Sequence, residues 1–252
     1  MKCFILLVVL TLFGMNSVVG QKNIATQNGS WFMYFGNHKL SEKYSLHTEY
    51  QWRRSDFVYS WQQSLARIGL DYHLDKNNSL TAGYGWIVSY PYGSQPISYT
   101  TNEHRVWEEF ISNSNYSRLN FNHRYRIEQR FIERITTNSL EESIVSGYNF
   151  KQRARYRFMI VAPINNASMK DKTAFVSLYN EVFLGFGQGI SKNILDQNRL
   201  YGSIGWRFNK NSNIQLGYLN QIIVKSNGVD IERNHNLQFS WTYNLDFSKK
   251  VN

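Results

Sequence analysis

The stretch Arg118-Leu119-Asn120-Phe121-Asn122-His123-Arg124-Tyr125-Arg126-Ile127-Glu128-Gln129-Arg130-Phe131 decides the fold. Read every second residue, Leu119, Phe121, Tyr125, Ile127 and Phe131 fall on one face, with His123 and Gln129. Asn120, Asn122, Arg124, Arg126, Glu128 and Arg130 fall on the other. Side chains of an extended chain point alternately to opposite sides, so this repeat of two marks a two-faced β-strand. Its length exceeds the five or six residues usual in soluble sheets and matches a tilted membrane crossing of about 9–11 residues.

The same alternation recurs in both directions. From Tyr44 to Arg53, Tyr44, Leu46, Thr48, Tyr50 and Trp52 oppose Ser45, His47, Glu49, Gln51 and Arg53. In 149–162, Phe150, Ala154, Tyr156, Phe158 and Ile160 oppose Lys151, Arg153, Arg155 and Arg157. Segments 79–88, 198–208 and 234–247 repeat the pattern, and less regular strands are expected near 30–39, 61–74, 103–112, 173–186 and 213–223. Gly185, Gly187 and Gly189 predict a bulged strand end. Links alternate between short (40–43, 75–78, 112–117, 209–212) and longer (54–60, 89–102, 132–145, 187–197, 224–233). Pro91, Pro96 and Pro163 all fall in or beside links, as strand ladders require.

Eleven strands follow from this pass. Single-chain bacterial barrels are normally even, and Asn28-Gly29 is a strong hairpin signal, so 22–27 is read as a further strand. The expectation is an all-β, antiparallel transmembrane barrel of about twelve strands, with both termini on the side of the short, periplasmic turns and longer loops outside. Ten strands would follow if the N-terminal piece folded into the lumen. Aromatic residues near strand ends on the apolar face (Tyr44, Trp52, Tyr72, Trp86, Phe131, Phe150, Trp206, Phe208) predict interfacial girdles, and an aromatic strand runs to Phe247. A soluble exported β-barrel binding a small ligand gives the same period and stands as an alternative.

Composition agrees. The chain has 252 residues, a net charge of +10 and 16% aromatic residues. Mean hydropathy is −0.47. Beyond Gly20 no run nears 18 apolar residues, which excludes helical membrane spans. At the start, Lys2, the apolar Phe4–Met15 and Val18-Val19-Gly20 have the pattern of a cleaved signal peptide over 1–20, leaving 21–252 as one domain. Cleavage would remove Cys3, the one cysteine, and Lys2, lowering the charge to +9.

Several segments together resemble a known family. They include Trp31–Gly36, Leu46–Arg53, Ala66–Tyr72, Thr81–Tyr84, Arg124–Phe131, Asn180–Leu184, Asp196–Tyr201 and Gly205–Phe208. They resemble the bacterial barrel family catalogued as domain of unknown function 2490. The resemblance implies export and the outer membrane of Gram-negative bacteria. It implies contact with membrane lipid and lipopolysaccharide, with the barrel-assembly machinery acting during insertion. It implies no activity and carries no site residues.

The chemistry lies on the polar faces. Arg53, Arg67, Arg124, Arg126, Arg130, Arg153, Arg155, Arg157 and Arg207 are expected in the lumen with Glu49, Glu128 and Glu181, because charge facing lipid is costly. Such a cluster either fills a narrow barrel as an ion-pair network or, through its excess of Arg, favours small anions. An outer-membrane lipid-modifying hydrolase is the rival class. Ser45, His47 and Glu49 share a face, but neighbours two apart on a strand are about 7 Å from one another, beyond a direct hydrogen bond. No metal-spaced His/Cys cluster or phosphate loop is present, and no cofactor is expected. Arginines alternating with lipid-type residues do not form the exposed patch that nucleic acid needs.

Overall fold

The computed structural model describes residues 22–138 and 141–248, so the expected signal peptide, with Cys3, lies outside the described residues. Eleven strands follow in order: β1 (Asn23–Lys39), β2 (Tyr44–Ser55), β3 (Ser60–His73), β4 (Asn78–Ser89), β5 (Thr101–Tyr116), β6 (Leu119–Thr137), β7 (Ser143–Pro163), β8 (Thr173–Phe186), β9 (Leu195–Asn209), β10 (Ser212–Val224) and β11 (Asp230–Tyr243). Each pairs antiparallel with its sequence neighbour, and β1 closes on β11 to complete the barrel. That closing pair is parallel, from Asn23 opposite Asp230 to Phe35 opposite Thr242.

The expected twelve strands are therefore eleven, and the fallback of ten is wrong as well. Asn28-Gly29 does not turn. It lies inside the 17-residue β1, and neither residue has a positive φ, which the favoured two-residue hairpin would demand. Gly29 serves another purpose. A Cβ there would lie 2.5 Å from the Arg54 carbonyl oxygen and 2.5 Å from Asn236 Oδ1, so its lack of a side chain lets three strands crowd together. An odd number of strands also separates the two ends of the wall. β1 starts at the mouth that carries the longer loops, and β11 finishes at the mouth of the short turns, correcting the expectation that both lie together.

Links 40–43, 74–77, 117–118 and 210–211 are short and share one mouth with the nine-residue link 164–172. At the other mouth, 56–59 and 138–142 are shorter than expected because the flanking strands run on, whereas 90–100 and 187–194 are long. Turn chemistry is local. The Asp75 carboxylate accepts from the backbone N–H of Asn77 (2.7 Å) and Asn78 (2.9 Å), closing the β3–β4 turn. Near Gly185 the register of β8 against β9 shifts between Phe183 and Leu184, the expected bulge.

The alternation reads directly onto the two faces. Leu70, Tyr84, Trp86, Ile127, Leu178, Leu200, Leu216 and Leu237 point outward and are exposed. Inward, charged and amide side chains are buried together with Trp31, Leu65, Ile87, Trp107, Phe183 and Leu219. The apolar surface is thus outside and the polar core inside, the reverse of an ordinary soluble domain. Aromatic pairs stand near both rims. Tyr44–Tyr72 (5.3 Å) and Trp241–Tyr243 (5.6 Å) lie toward the short-turn mouth; Trp52–Trp61 (5.9 Å) and Phe131–Phe150 (5.1 Å) lie toward the other.

Candidate functional site: a charged lumen

Glu128 is the hub of the interior. Its side chain is fully buried, and its two oxygens accept from four arginines on three strands, β3, β5 and β7. Arg155 Nη1 stands at 2.7 Å, Arg105 Nη1 at 3.3 Å and Arg67 Nη2 at 3.5 Å from Oε1, while Arg153 reaches Oε2 through Nη2 (2.6 Å) and Nε (2.9 Å). Around this hub the network spreads. Arg67 also bonds Glu49 (2.8 Å), Arg130 grips Glu103 with Nε and Nη2 (both 2.8 Å), and Arg126 bonds Glu109 (2.5 Å). Glu181 accepts from Arg124 (2.6 Å) and Arg155 (2.8 Å). Arginine suits this work because its fork of donors can serve two carboxylates at once.

Aromatic rings fill the spaces between. The Arg126 guanidinium lies 4.4 Å from the Trp107 ring, and Arg155 and Arg199 lie 4.3 and 4.6 Å from Phe183. These faces attract cations while excluding water. Trp107 fits only because Gly83 stands opposite it on β4: a Cβ there would fall 2.6 Å from the indole.

The β4–β5 loop folds over the mouth. Its Tyr92 hydroxyl donates to Glu232 on β11 (2.8 Å), and the Gln95 carbonyl accepts from Lys225 Nζ (3.2 Å). Burial, then the Glu232 charge, pushes the Tyr92 phenol well above its ordinary value, so it stays a neutral donor. Beneath the loop runs a cavity of about 450 Å³. Its lining reaches from Asn37, Ser79 and Ile111 on the short-turn side to Tyr92, Gln95 and Ile97 in the loop. Ten arginines line it: Arg53, Arg67, Arg105, Arg124, Arg126, Arg130, Arg153, Arg155, Arg157 and Arg199. The lining carboxylates are Glu49, Asp71, Glu109, Glu181 and Glu232, with Glu103 and Glu128 buried behind them.

Eleven of the twelve residues expected in the lumen belong to this interior. Arg207 does not. It lies at the β9–β10 turn, where its guanidinium bonds the backbone carbonyls of Asn209 and Met169 (both 3.3 Å). Alternation gives its face correctly but says nothing of its height. Glu103, Arg105, Glu109, Arg199 and Glu232 were not anticipated. On β5 the signal was blurred: the polar Glu108 points outward beside Gln129 (3.1 Å), while the apolar Trp107 points in. Arg199 lies within the strand read at 198–208 and shares the parity of Tyr201 and Arg207, so its inward face was legible there.

In the row of Ser45, His47 and Glu49 the expected separation fails for one pair, because the long side chains of His47 and Glu49 lean together, and holds for Ser45, which turns to another strand. Ser45 Oγ bonds His73 Nε2 on the next strand (2.8 Å), whereas His47 reaches Glu49 at 3.4 Å and sets its ring edge-on to Trp107. Among the described residues no cluster of three His, Cys, Asp or Glu side chains is placed to hold a metal.

The fold and its interior define a class: a closed eleven-stranded β-barrel with an apolar exterior and an arginine-rich lumen. The chain belongs to the family described as "Protein of unknown function (DUF2490)", whose model matches residues 28–246. No curated protein and no solved structure matches it.

Proposed function

We propose that the chain is an integral barrel of the Gram-negative outer membrane, exported by a cleaved signal peptide, whose narrow lumen favours small anions. The excess of arginine over carboxylate along one lengthwise cavity carries this reading. Much of the cluster is structural: seven of the ten arginines are tied to carboxylates and brace the wall from within. The surplus sets the sign of the field, because positive side chains around a pore attract anions and repel cations. The membrane placement is supported by the exposed apolar exterior and by aromatic pairs near both rims. Lipid and lipopolysaccharide would cover that exterior, and the barrel-assembly machinery would insert it.

Planar-bilayer recording under a salt gradient tests the reading, using the full chain and a variant with 92–97 replaced by a short linker. The expected result is a small, anion-selective current that rises when the loop is shortened. Cation selectivity, or silence from both proteins, would sink it. The lipid-hydrolase alternative rests on the Ser45–His73 contact. It predicts lipid release that disappears in Ser45→Ala.

A further inference from the structure

Three of the ten arginines that line the cavity, Arg53, Arg157 and Arg199, have no ion pair with a carboxylate among the described residues. Two of them meet at one place. The Arg53 guanidinium lies 4.0 Å and that of Arg199 5.1 Å from the Trp31 ring, and both residues are more than nine-tenths buried.

Their hydrogen-bond partners are neutral. Arg53 donates to Gln51 Oε1 (2.9 Å) and Gln63 Oε1 (2.6 Å), and Arg199 donates to Gln197 Oε1 (3.2 Å). Carboxamides satisfy donors without cancelling charge. The carboxylates nearest in the sheet are engaged elsewhere. Glu181, opposite Arg199, is held by Arg124 and Arg155; Glu49, on the strand of Arg53, is held by Arg67. Arg199 Nε is buried with no acceptor in reach. Two like charges buried over one ring are costly unless a counter-charge joins them, and the indole face offsets only a part.

We infer that Arg53 and Arg199 form a binding site for one small oxyanion, a carboxylate or phosphate group, over the Trp31 indole. Guanidinium forks fit the paired oxygens of either group, and chloride cannot use that geometry. The site deepens the anion-favouring reading of the lumen and rests on it for access. A hydrogen-bonded chain also links it to the β4–β5 loop: Gln197 accepts from Gln221, Gln221 from Asn234, and Asn234 bonds the Tyr92 hydroxyl.

The test is calorimetric titration of the folded, detergent-solubilised chain with sodium phosphate, sodium acetate or sodium chloride at constant low ionic strength. The expected result is saturable, single-site binding of phosphate or acetate, tighter than chloride, weakened at least tenfold in R53Q and in R199Q. R118Q, which removes an arginine bonded only to backbone carbonyls of 163–166, should leave it unchanged. Tighter phosphate assigns a phosphoryl ligand and tighter acetate a carboxylate. R199K keeps the charge without the fork and should fall between wild type and R199Q, which keeps the test open if R53Q does not fold. Oxyanions binding no tighter than chloride, or R199Q binding as wild type, would overturn the site. Recording bilayer current from the same samples separates the two readings. Binding in a silent barrel keeps the site and discards the anion path; current without binding does the reverse.

Discussion

The two sides of the lumen wall solve the same problem differently. On β5–β8 the inward positions carry Glu103, Arg105, Arg126, Glu128, Arg153, Arg155 and Glu181, and charge is matched by charge. On β11, beside the parallel seam with β1, the buried inward residues after Glu232 are Asn234, Asn236, Gln238 and Ser240. There the bonds are neutral and local, such as Gln238 Nε2 to Ser240 Oγ (3.0 Å), and they back onto Trp31, Met33, Tyr201 and Leu219. The Oδ1 atoms of Asn234 and Asn236 and Oε1 of Gln238 are buried without a donor. The charged side is strong but interdependent, because each carboxylate serves several arginines. The neutral side is weaker per bond, and its members can be lost singly.

Removing the hub should break the charged side. Glu128→Ala leaves four buried guanidiniums short of a counter-charge and is expected to destabilise the barrel by about 3–5 kcal/mol. The urea midpoint of unfolding in detergent, read by heat-dependent gel mobility, should drop sharply; a midpoint near wild type would show that the network is dispensable. Asn236→Ala is the matching cut on the neutral side. It loses the 3.3 Å bond to the Asn234 carbonyl but also removes an unsatisfied oxygen, so its cost should stay within about 1 kcal/mol in the same assay. A drop equal to that of Glu128→Ala would erase the distinction between the sides.

The smallest effect belongs to a carboxylate outside the lumen. Bonds from Asn78 and from the Asn77 backbone hold Asp75 below its ordinary value, which is about 3.9. Its stabilisation of the β3–β4 turn is fully present above that unfolded value and is lost as pH falls through the lower, folded one. The protection of the Asn77 and Asn78 amides, measured against their intrinsic exchange rates, should therefore fall only under acid conditions, below about pH 4. In Asp75→Ala that protection should be low at every pH. Loss of protection near neutrality in the unaltered chain would contradict the assignment.

Much of this wall was legible because period two is imposed by the backbone itself. Arg124, Arg126, Arg153 and Arg155 could be placed inside from alternation alone, since their neighbours on the opposite face, His123 and Gln152 excepted, are apolar or aromatic. What alternation cannot supply is height along the strand, which is why it groups Arg207 with lumen arginines such as Arg124 and Arg155, whereas Arg207 caps a turn. Nor does it announce partners. His73, not His47, meets Ser45, because pairing across strands depends on register, which a single strand does not contain. The strand count failed for a related reason. Asn-Gly is read as a turn from its local freedom, but at 28–29 the need for close approach to Arg54 and Asn236 decided the conformation.

The parallel junction of β1 and β11 has a consequence for assembly. Ten of the eleven seams join neighbours along the chain and can zip as hairpins while the rest of the chain is still unstructured. The remaining seam joins partners such as Trp31 and Gln238, so it cannot form until everything between them is in place. The first strand to enter is thereby obliged to wait for the last. Until they meet, both present an unpaired edge, and the barrel is an open, curling sheet in search of its own beginning.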